Sequence, residues 1–299
     1  MIQPSKLSKG DSVILIAPSR KVELEDLKSA EKLLINWGLV PIRSKNILAE
    51  NGIFAGTDKQ RKEDLQWAMD HPTAKAIWCF RGGYGSVRLI EQINPSGFIS
   101  YPKWIIGFSD ITVLHCFSNI ILNTSSIHAT MPINIRENTS NSLDSLKNTL
   151  FENKFSYSWE MNSNNILSSS KGEIIGGNLS VLCSMLGTNY QPDFENKILF
   201  IEDIDEYLYQ IDRMLWQLKF AGVFHHIKGL VIGHFSNIKD NKIPFGKSLE
   251  EIILEKIREF DFPVAFDFPA GHENENCSLI LGCEASLETS ETKSTLITI

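Results

Sequence analysis

The sequence predicts an α/β protein of two domains, the first built on a parallel sheet. Three observations lead there. Short apolar runs alternate with amphipathic helix patterns through about the first 130 residues. A Ser/Asn-rich stretch then breaks the alternation. The 299 residues exceed one ordinary domain and suffice for two cores.

The elements follow in order. Ser12-Val-Ile-Leu-Ile-Ala-Pro18 is continuously apolar, as in a strand buried on both faces. Residues 24–37 repeat apolar side chains three and four apart and stop at Gly38, which suits a helix C′ position. Val40–Arg43 reads as a strand, 59–70 as a helix, Ala74–Phe80 as a strand and 86–93 as a helix. Lys103–Phe108 is the next strand and 111–122 the next helix, completing a first domain over 1–136. Residues 137–170 hold nine Ser and seven Asn, the composition of a linker loop. A second domain, 171–299, has strands at Ile198–Ile201, Gly229–Ile232 and Val264–Phe268, and helices at 206–221 and 248–260. Short strands separated by turn residues fill Ser278–Ile299.

Composition removes several classes. The net charge is −7 with no basic run, which argues against general binding to nucleic acid or to an anionic membrane. Residues 111–135 lack Asp, Glu, Lys and Arg but contain His115, Asn119, Asn123 and His128, too polar for a spanning helix. Val13–Ala17 is too short for a secretory signal. Five cysteines, an odd number without Cys-x-x-Cys, read as reduced thiols in a reducing compartment, mostly in the core. There is no His-Glu-x-x-His and no second His near His272, so neither a metal nor a cofactor is expected.

Four spots carry chemistry. Gly107-Phe-Ser109-Asp110 joins a strand to a helix, the layout of a nucleophile elbow without its last glycine; Ser109 or Asp110 as a plain helix cap fits the same pattern. Arg81-Gly-Gly-Tyr-Gly85 follows a strand and fails the phosphate-loop spacing, leaving a tight turn or an anion or oxyanion loop. Glu202-Asp-Ile-Asp205-Glu206 ends a strand; it could hold a hard cation, start a helix or orient a histidine. His272 follows a strand and a glycine in a polar loop. Together the order Ser…Glu…His supplies a nucleophile, an orienting acid and a base. No cysteine occupies a comparable turn.

On these residues the chain resembles the LD-carboxypeptidases (muramoyltetrapeptide carboxypeptidases), a family that includes the microcin C immunity peptidases. The likeness covers nearly the whole chain. It runs through Leu7-Ser-Lys-Gly-Asp-Ser-Val-Ile-Leu-Ile-Ala-Pro-Ser19, Phe80-Arg-Gly-Gly-Tyr-Gly85, Gly107-Phe-Ser-Asp110 and Gly176-Gly-Asn-Leu-Ser180. It continues in Leu199-Phe-Ile-Glu-Asp203, Tyr209-Gln-Ile-Asp-Arg-Met-Leu215 and Gly271-His272. The resemblance implies a flavodoxin-like N-terminal sheet, a β-rich α/β C-terminal domain and an active site between them. It implies a serine peptidase with Ser109 as nucleophile, His272 as base and Glu202 as orienting acid. The oxyanion hole implied is the backbone N–H of Asp110 and of Gly83, with Gly82 the substitute. The implied reaction removes the terminal D-alanine of murein tetrapeptide in cell-wall recycling, by a metal-free cytoplasmic homodimer. Hydrolysis of a peptidyl-nucleotide, as in the immunity branch, and a silent binding protein on the same scaffold are the alternatives. Arg81 could hold the substrate carboxylate or a structural ion pair. Two motifs depart from the family: His128-Ala-Thr-Met131 and Leu279-Ile-Leu-Gly282. Trp159 could stack on a nucleobase or anchor the 137–170 segment on the protein.

Overall fold

The computed structural model describes residues 1–299. In chain order its elements are β1 (Ser12–Ile16), α1 (Leu24–Asn36), β2 (Val40–Arg43), α2 (Asp58–Asp70), β3 (Ala76–Cys79) and α3 (Ser96–Ser100). Next come β4 (Trp104–Gly107), α4 (Thr112–Ile120), β5 (Ser126–His128), α5 (Ser140–Glu152), β6 (Ser156–Glu160), β7 (Ser169–Asn178) and α6 (Leu179–Met185). Then follow β8 (Ile198–Ile204), α7 (Leu208–Phe220), α8 (Val223–His226), β9 (Gly229–Ser236), α9 (Leu249–Ile257) and β10 (Val264–Ala265). The chain ends with β11 (Leu279–Leu281), β12 (Glu284–Thr289) and β13 (Lys293–Thr298).

Two compact units result: Met1–Lys154 with Asn274–Gly282, and Phe155–Glu273 with Cys283–Ile299. In the first, the sheet order is β11-β5-β4-β3-β1-β2, with β1 to β5 parallel and β11 antiparallel to β5. The apolar runs of β1, β3 and β4 are buried nearly throughout. A sheet covered on both faces by crossover helices requires that continuous pattern. The strand order reverses between β1 and β3, so the loops after them open a crevice at the carboxyl ends of the strands.

In the second unit the order is β10-β9-β8-β7-β12-β13-β6. Strands β7 to β10 pair in parallel, while β12, β13 and β6 form an antiparallel extension of β7. The exposed edge strand β6 alternates exposed and half-buried residues, as a one-sided strand should.

Two expected elements differ. The segment 137–170, expected as a loop, contains α5 and β6. The apolar positions Leu143, Leu146 and Leu150 do have helical spacing, and Thr139 caps Ser142 N at 3.2 Å. The serines hid it: Ser142, Ser145 and Thr149 form a buried polar stripe. Ser145 Oγ accepts from Ser278 N at 3.0 Å, and Thr149 Oγ1 meets Ser278 Oγ at 2.7 Å, tying the 274–282 segment to the first unit. The helix expected over 86–93 is two 3₁₀ turns, Ser86–Arg88 and Ile90–Gln92. Only nine residues separate Gly85 from Pro95, too few for a cooperative helix, and the residue before proline avoids the α region.

None of the five cysteines forms a disulfide and all are buried. Burial pushes Cys116, Cys183, Cys277 and Cys283 up to about 12, so these are thiols and not nucleophilic thiolates at neutral pH. No helix is long and apolar enough to cross a membrane. Trp159 anchors β6: its indole Nε1 donates to Phe266 O at 2.7 Å and its ring meets the edge of Phe268 at 5.1 Å.

Candidate active site

Strand β4 ends at Gly107, Phe108 stays extended, and Ser109 turns with φ +63° before a short 3₁₀ turn enters α4. A left-handed non-glycine residue costs on the order of 1–3 kcal/mol and persists where its surroundings hold it. Neither Ser109 nor Asp110 caps the helix. The turn is held from behind by His115, buried on α4. Its Nε2 lies 2.9 Å from Gly107 O and its Nδ1 2.9 Å from Ser126 Oγ. A carbonyl only accepts, so Nε2 carries the proton and Nδ1 accepts from Ser126. Burial pushes this imidazole down to about 3; it is neutral and structural. Gly107 has no room for a side chain, since a Cβ would sit 2.9 Å from Ile111 Cγ1.

The glycine loop after β3 lies against this turn. A Cβ on Gly82 would meet Ser109 Cβ at 2.9 Å, Ser109 Oγ at 3.0 Å and Asp110 N at 3.3 Å. Ser109 Oγ and the N–H groups of Gly83 and Asp110 make no hydrogen bond within the protein. The Ser109 hydroxyl and the Asp110 N–H are thus open where Gly82 packs against them, and the Gly83 N–H is open on the next residue of the same loop, the kinds of groups acyl transfer needs. Gly83, at φ +107°, has Arg20 folded over it, and a Cβ there would lie 2.5 Å from Arg20 Cδ and Nε. Arg81 Nη1 donates to Lys21 O at 3.1 Å. No carboxylate pairs with Arg81, so the structural ion pair that the sequence allowed is not formed. Burial and then the charge of Arg20 hold its guanidinium below the usual range.

The second unit brings Glu202 and His272 together. Glu202 lies on β8 at 0% exposure, where the pairing with β9 shifts register between Ile201 and Asp203. Ile201 pairs Ile232 and Asp203 pairs Phe235, so Gly233 and His234 stand opposite Glu202 alone. Such a bulge re-aims a side chain. Glu202 Oε2 lies 2.7 Å from His272 Nδ1. The carboxylate fixes the proton on Nδ1 and leaves Nε2 as the basic nitrogen. Burial lowers the imidazole, but the charge and hydrogen bond of Glu202, with Asp203 and Asp205 adding, outweigh it and raise His272 above 6.5. Gly271, at φ +133°, permits the close approach: a Cβ would be 3.2 Å from Glu202 Oε2 and from His234 Cβ. The loop is pinned by His234 N to Ala270 O at 2.8 Å and by Ser236 Oγ to Glu273 Oε1 at 2.6 Å.

The neighbouring acids serve the scaffold. Asp203 accepts from Asn178 Nδ2 at 2.8 Å and from Ser180 N at 2.9 Å, holding the start of α6. Burial, then the Glu202 charge, pushes Asp203 up to about 7. Asp205 pairs with Lys239 at 3.1 Å on the surface. No group of three or more His, Cys, Asp or Glu could hold a metal ion, which removes the hard-cation reading of residues 202–206.

The departures from the family are buried. Ala129 N donates to Gly107 O at 3.2 Å, and Thr130 O accepts from Trp78 Nε1 at 2.9 Å. Sequence reasoning passed over Ser19, Arg61 and Ser86, which lie under the glycine loop. The signal was a serine after a strand and an arginine amid the buried face of a helix.

The chain is similar to known proteins along most of its length. Residues 13–129 match the model of the LD-carboxypeptidase N-terminal domain, and 171–287 that of the LD-carboxypeptidase C-terminal domain. The chain is 33% identical over 294 residues to a Bacillus subtilis protein named "Probable murein peptide carboxypeptidase", covering 97% of this chain and 92% of that one. The crystal structure of muramoyltetrapeptide carboxypeptidase from Oxalobacter formigenes superposes with a TM-score of 0.88 at 28% identity, covering 96% and 98%. The microcin C7 self immunity protein MccF, in complex with aspartyl sulfamoyl adenosine, shares the fold at a TM-score of 0.86 and 20% identity, covering 99% and 98%.

Proposed function

This chain belongs to the LD-carboxypeptidase family of serine carboxypeptidases, and from that premise we propose that it releases the terminal D-alanine of murein tetrapeptide through Ser109, His272 and Glu202. The observation that supports this most directly is the 2.7 Å contact of buried Glu202 with His272 Nδ1, which fixes the proton there and makes Nε2 the basic nitrogen. The relatives' names, murein peptide and muramoyltetrapeptide carboxypeptidase, supply the substrate class.

The chemistry follows from the groups. Ser109 Oγ attacks the carbonyl that joins the L-centre of a diamino acid to D-alanine. His272 Nε2 takes the hydroxyl proton, and Glu202 stabilises the imidazolium that forms. The N–H groups of Asp110 and Gly83, with Gly82 as the substitute for the latter, receive the oxyanion; losing one such donor costs on the order of 10²–10³ in rate. The imidazolium returns the proton to the leaving amine and D-alanine departs. Water, deprotonated by the same His272, attacks the acyl-enzyme; the tripeptide is released and Ser109 regains its proton. The balance is tetrapeptide plus water giving tripeptide plus D-alanine, with no metal or redox partner. Arg81 is assigned the terminal carboxylate, since a guanidinium offers it a two-pronged donor. The reading includes a cytoplasmic homodimer in cell-wall recycling.

D-alanine release from L-Ala–γ-D-Glu–meso-diaminopimelate–D-Ala, with EDTA present, is the test. Wild type is expected to release D-alanine and Ser109→Ala to lose the activity by at least about 10³-fold. Release by both would sink the assignment of Ser109. Release by neither, with hydrolysis of an aspartyl-adenylate analogue, would move the substrate to peptidyl-nucleotides.

A further inference from the structure

The open donors on Gly83 and Asp110 sit on the glycine loop and on a single 3₁₀ turn, and something must hold the two to within a fraction of an ångström of each other. Beneath them lies a buried polar brace confined to the first unit. Asp110 is 4% exposed, and its Oδ2 accepts from Ser86 N at 2.9 Å and from Ser19 Oγ. Ser19 and Ser86, both at 0% exposure, also join each other, Oγ to Oγ, at 3.1 Å. Arg61 on α2 is 1% exposed, and its Nη1 donates to Pro18 O at 2.5 Å and to Gly85 O at 3.1 Å. Its Nη2 pairs with Asp58, which also holds Arg88 at 2.6 Å. Gly85 admits this approach, since a Cβ there would lie 2.5 Å from Arg61 Nη1. One carboxylate oxygen and one guanidinium nitrogen therefore tie the loop after β1, the glycine loop after β3 and the turn after β4 to one another.

We propose that the side chains of Asp110 and Arg61 are positioning residues that fix the glycine loop over Ser109, so that the N–H groups of Gly83 and Asp110 point at one oxyanion. The proposal rests on the assignment of Ser109 and these donors made above. A buried charge with a single structural task is costly unless fully bonded. Here Asp110 takes its bonds from Ser86 N and Ser19 Oγ, Arg61 Nη1 gives both of its bonds to loop carbonyls, and Asp58 balances the guanidinium charge. Because both bonds to Asp110 fall on the same oxygen, geometry matters more than charge: asparagine can keep them and alanine cannot.

The experiment uses the full chain and two readouts. One is the rate at which a fluorophosphonate modifies Ser109, which needs the oxyanion donors and no knowledge of the substrate. The other is kcat and KM for D-alanine release. Asp110→Ala and Arg61→Met are expected to lower the modification rate and kcat by on the order of 10–100-fold, as a displacement of about 1 Å does, with KM within threefold. Asp110→Asn and Arg61→Lys are expected to recover most of the loss. Should Arg61→Met fail to fold, Ser19→Ala removes one bond of the brace without charge or bulk, and a several-fold loss in modification rate is expected. Alanine variants modified at the wild-type rate, or kcat unchanged while KM rises, would overturn the proposal. If wild type is modified at Ser109 and slowed by these substitutions but releases no D-alanine, the brace stands and the murein substrate falls.

Discussion

The turn at Ser109 and the His272–Glu202 pair solve opposite problems. Around Ser109 the work is done by backbone: a left-handed serine, glycines without room for a Cβ and two unbonded N–H groups. Around His272 it is done by side-chain charge: a carboxylate at 0% exposure, aimed by a bulge, raises an imidazole. The first region is sensitive above all to shape. The second is tuned electrostatically and is read through pH. A substitution in each should therefore fail in a different way.

The largest effect is expected at the charge. Glu202→Gln keeps the shape but can present an amide N–H to Nδ1 and so favour the wrong tautomer; kcat is expected to fall on the order of 10³–10⁴-fold. The sign of the pH shift is set by the raised imidazole. In the proposed mechanism His272 works as a base only when neutral, so the acid limb of kcat/KM is expected above the ordinary imidazole value in the wild type. Removing the Glu202 charge lets burial dominate, and the limb moves to lower pH. A pH–rate profile of the variant whose limb stays in place would break the electrostatic half of the comparison.

The next effect is steric. Gly82→Ala puts a methyl 3.0 Å from Ser109 Oγ, where Ser109 or the loop must shift. A loss in kcat of about 10²-fold is expected with the acid limb unmoved. Stopped-assay kinetics across pH would test it; a moved limb would mean that the two regions are not separable. The smallest effect is at Arg81. Arg81→Ala is expected to raise KM roughly tenfold at unchanged kcat, and to leave a substrate ending in a carboxamide unaffected. Equal loss on acid and amide would remove Arg81 from carboxylate binding.

Much of the fold was legible because its strands are buried on both faces, which writes them as continuous apolar runs. Such runs need no tertiary information to be seen, and β1, β3 and β4 fall within them. Helix α5 was obscured for the opposite reason. Its buried side mixes Ser142, Ser145 and Thr149 with only two leucines, Leu146 and Leu150, a composition that mimics a loop until a partner segment, 274–282, supplies the hydrogen bonds. The same holds under the glycine loop. Nothing near Arg61 in the sequence reveals that it meets Pro18 and Gly85, residues 43 and 24 positions away.

By itself the sequence determined the alternation of strand and helix, the glycines at strand ends and the residue types at 109, 202 and 272. These are local properties, set by hydrophobic period and backbone freedom. Tertiary structure alone decided that Ser109 is left-handed and caps nothing, that Glu202 faces His272 across a bulge, and that His115 is neutral behind the turn. Each depends on burial and on partners far away in the chain, because desolvation and hydrogen bonding act through space and have no period along the sequence.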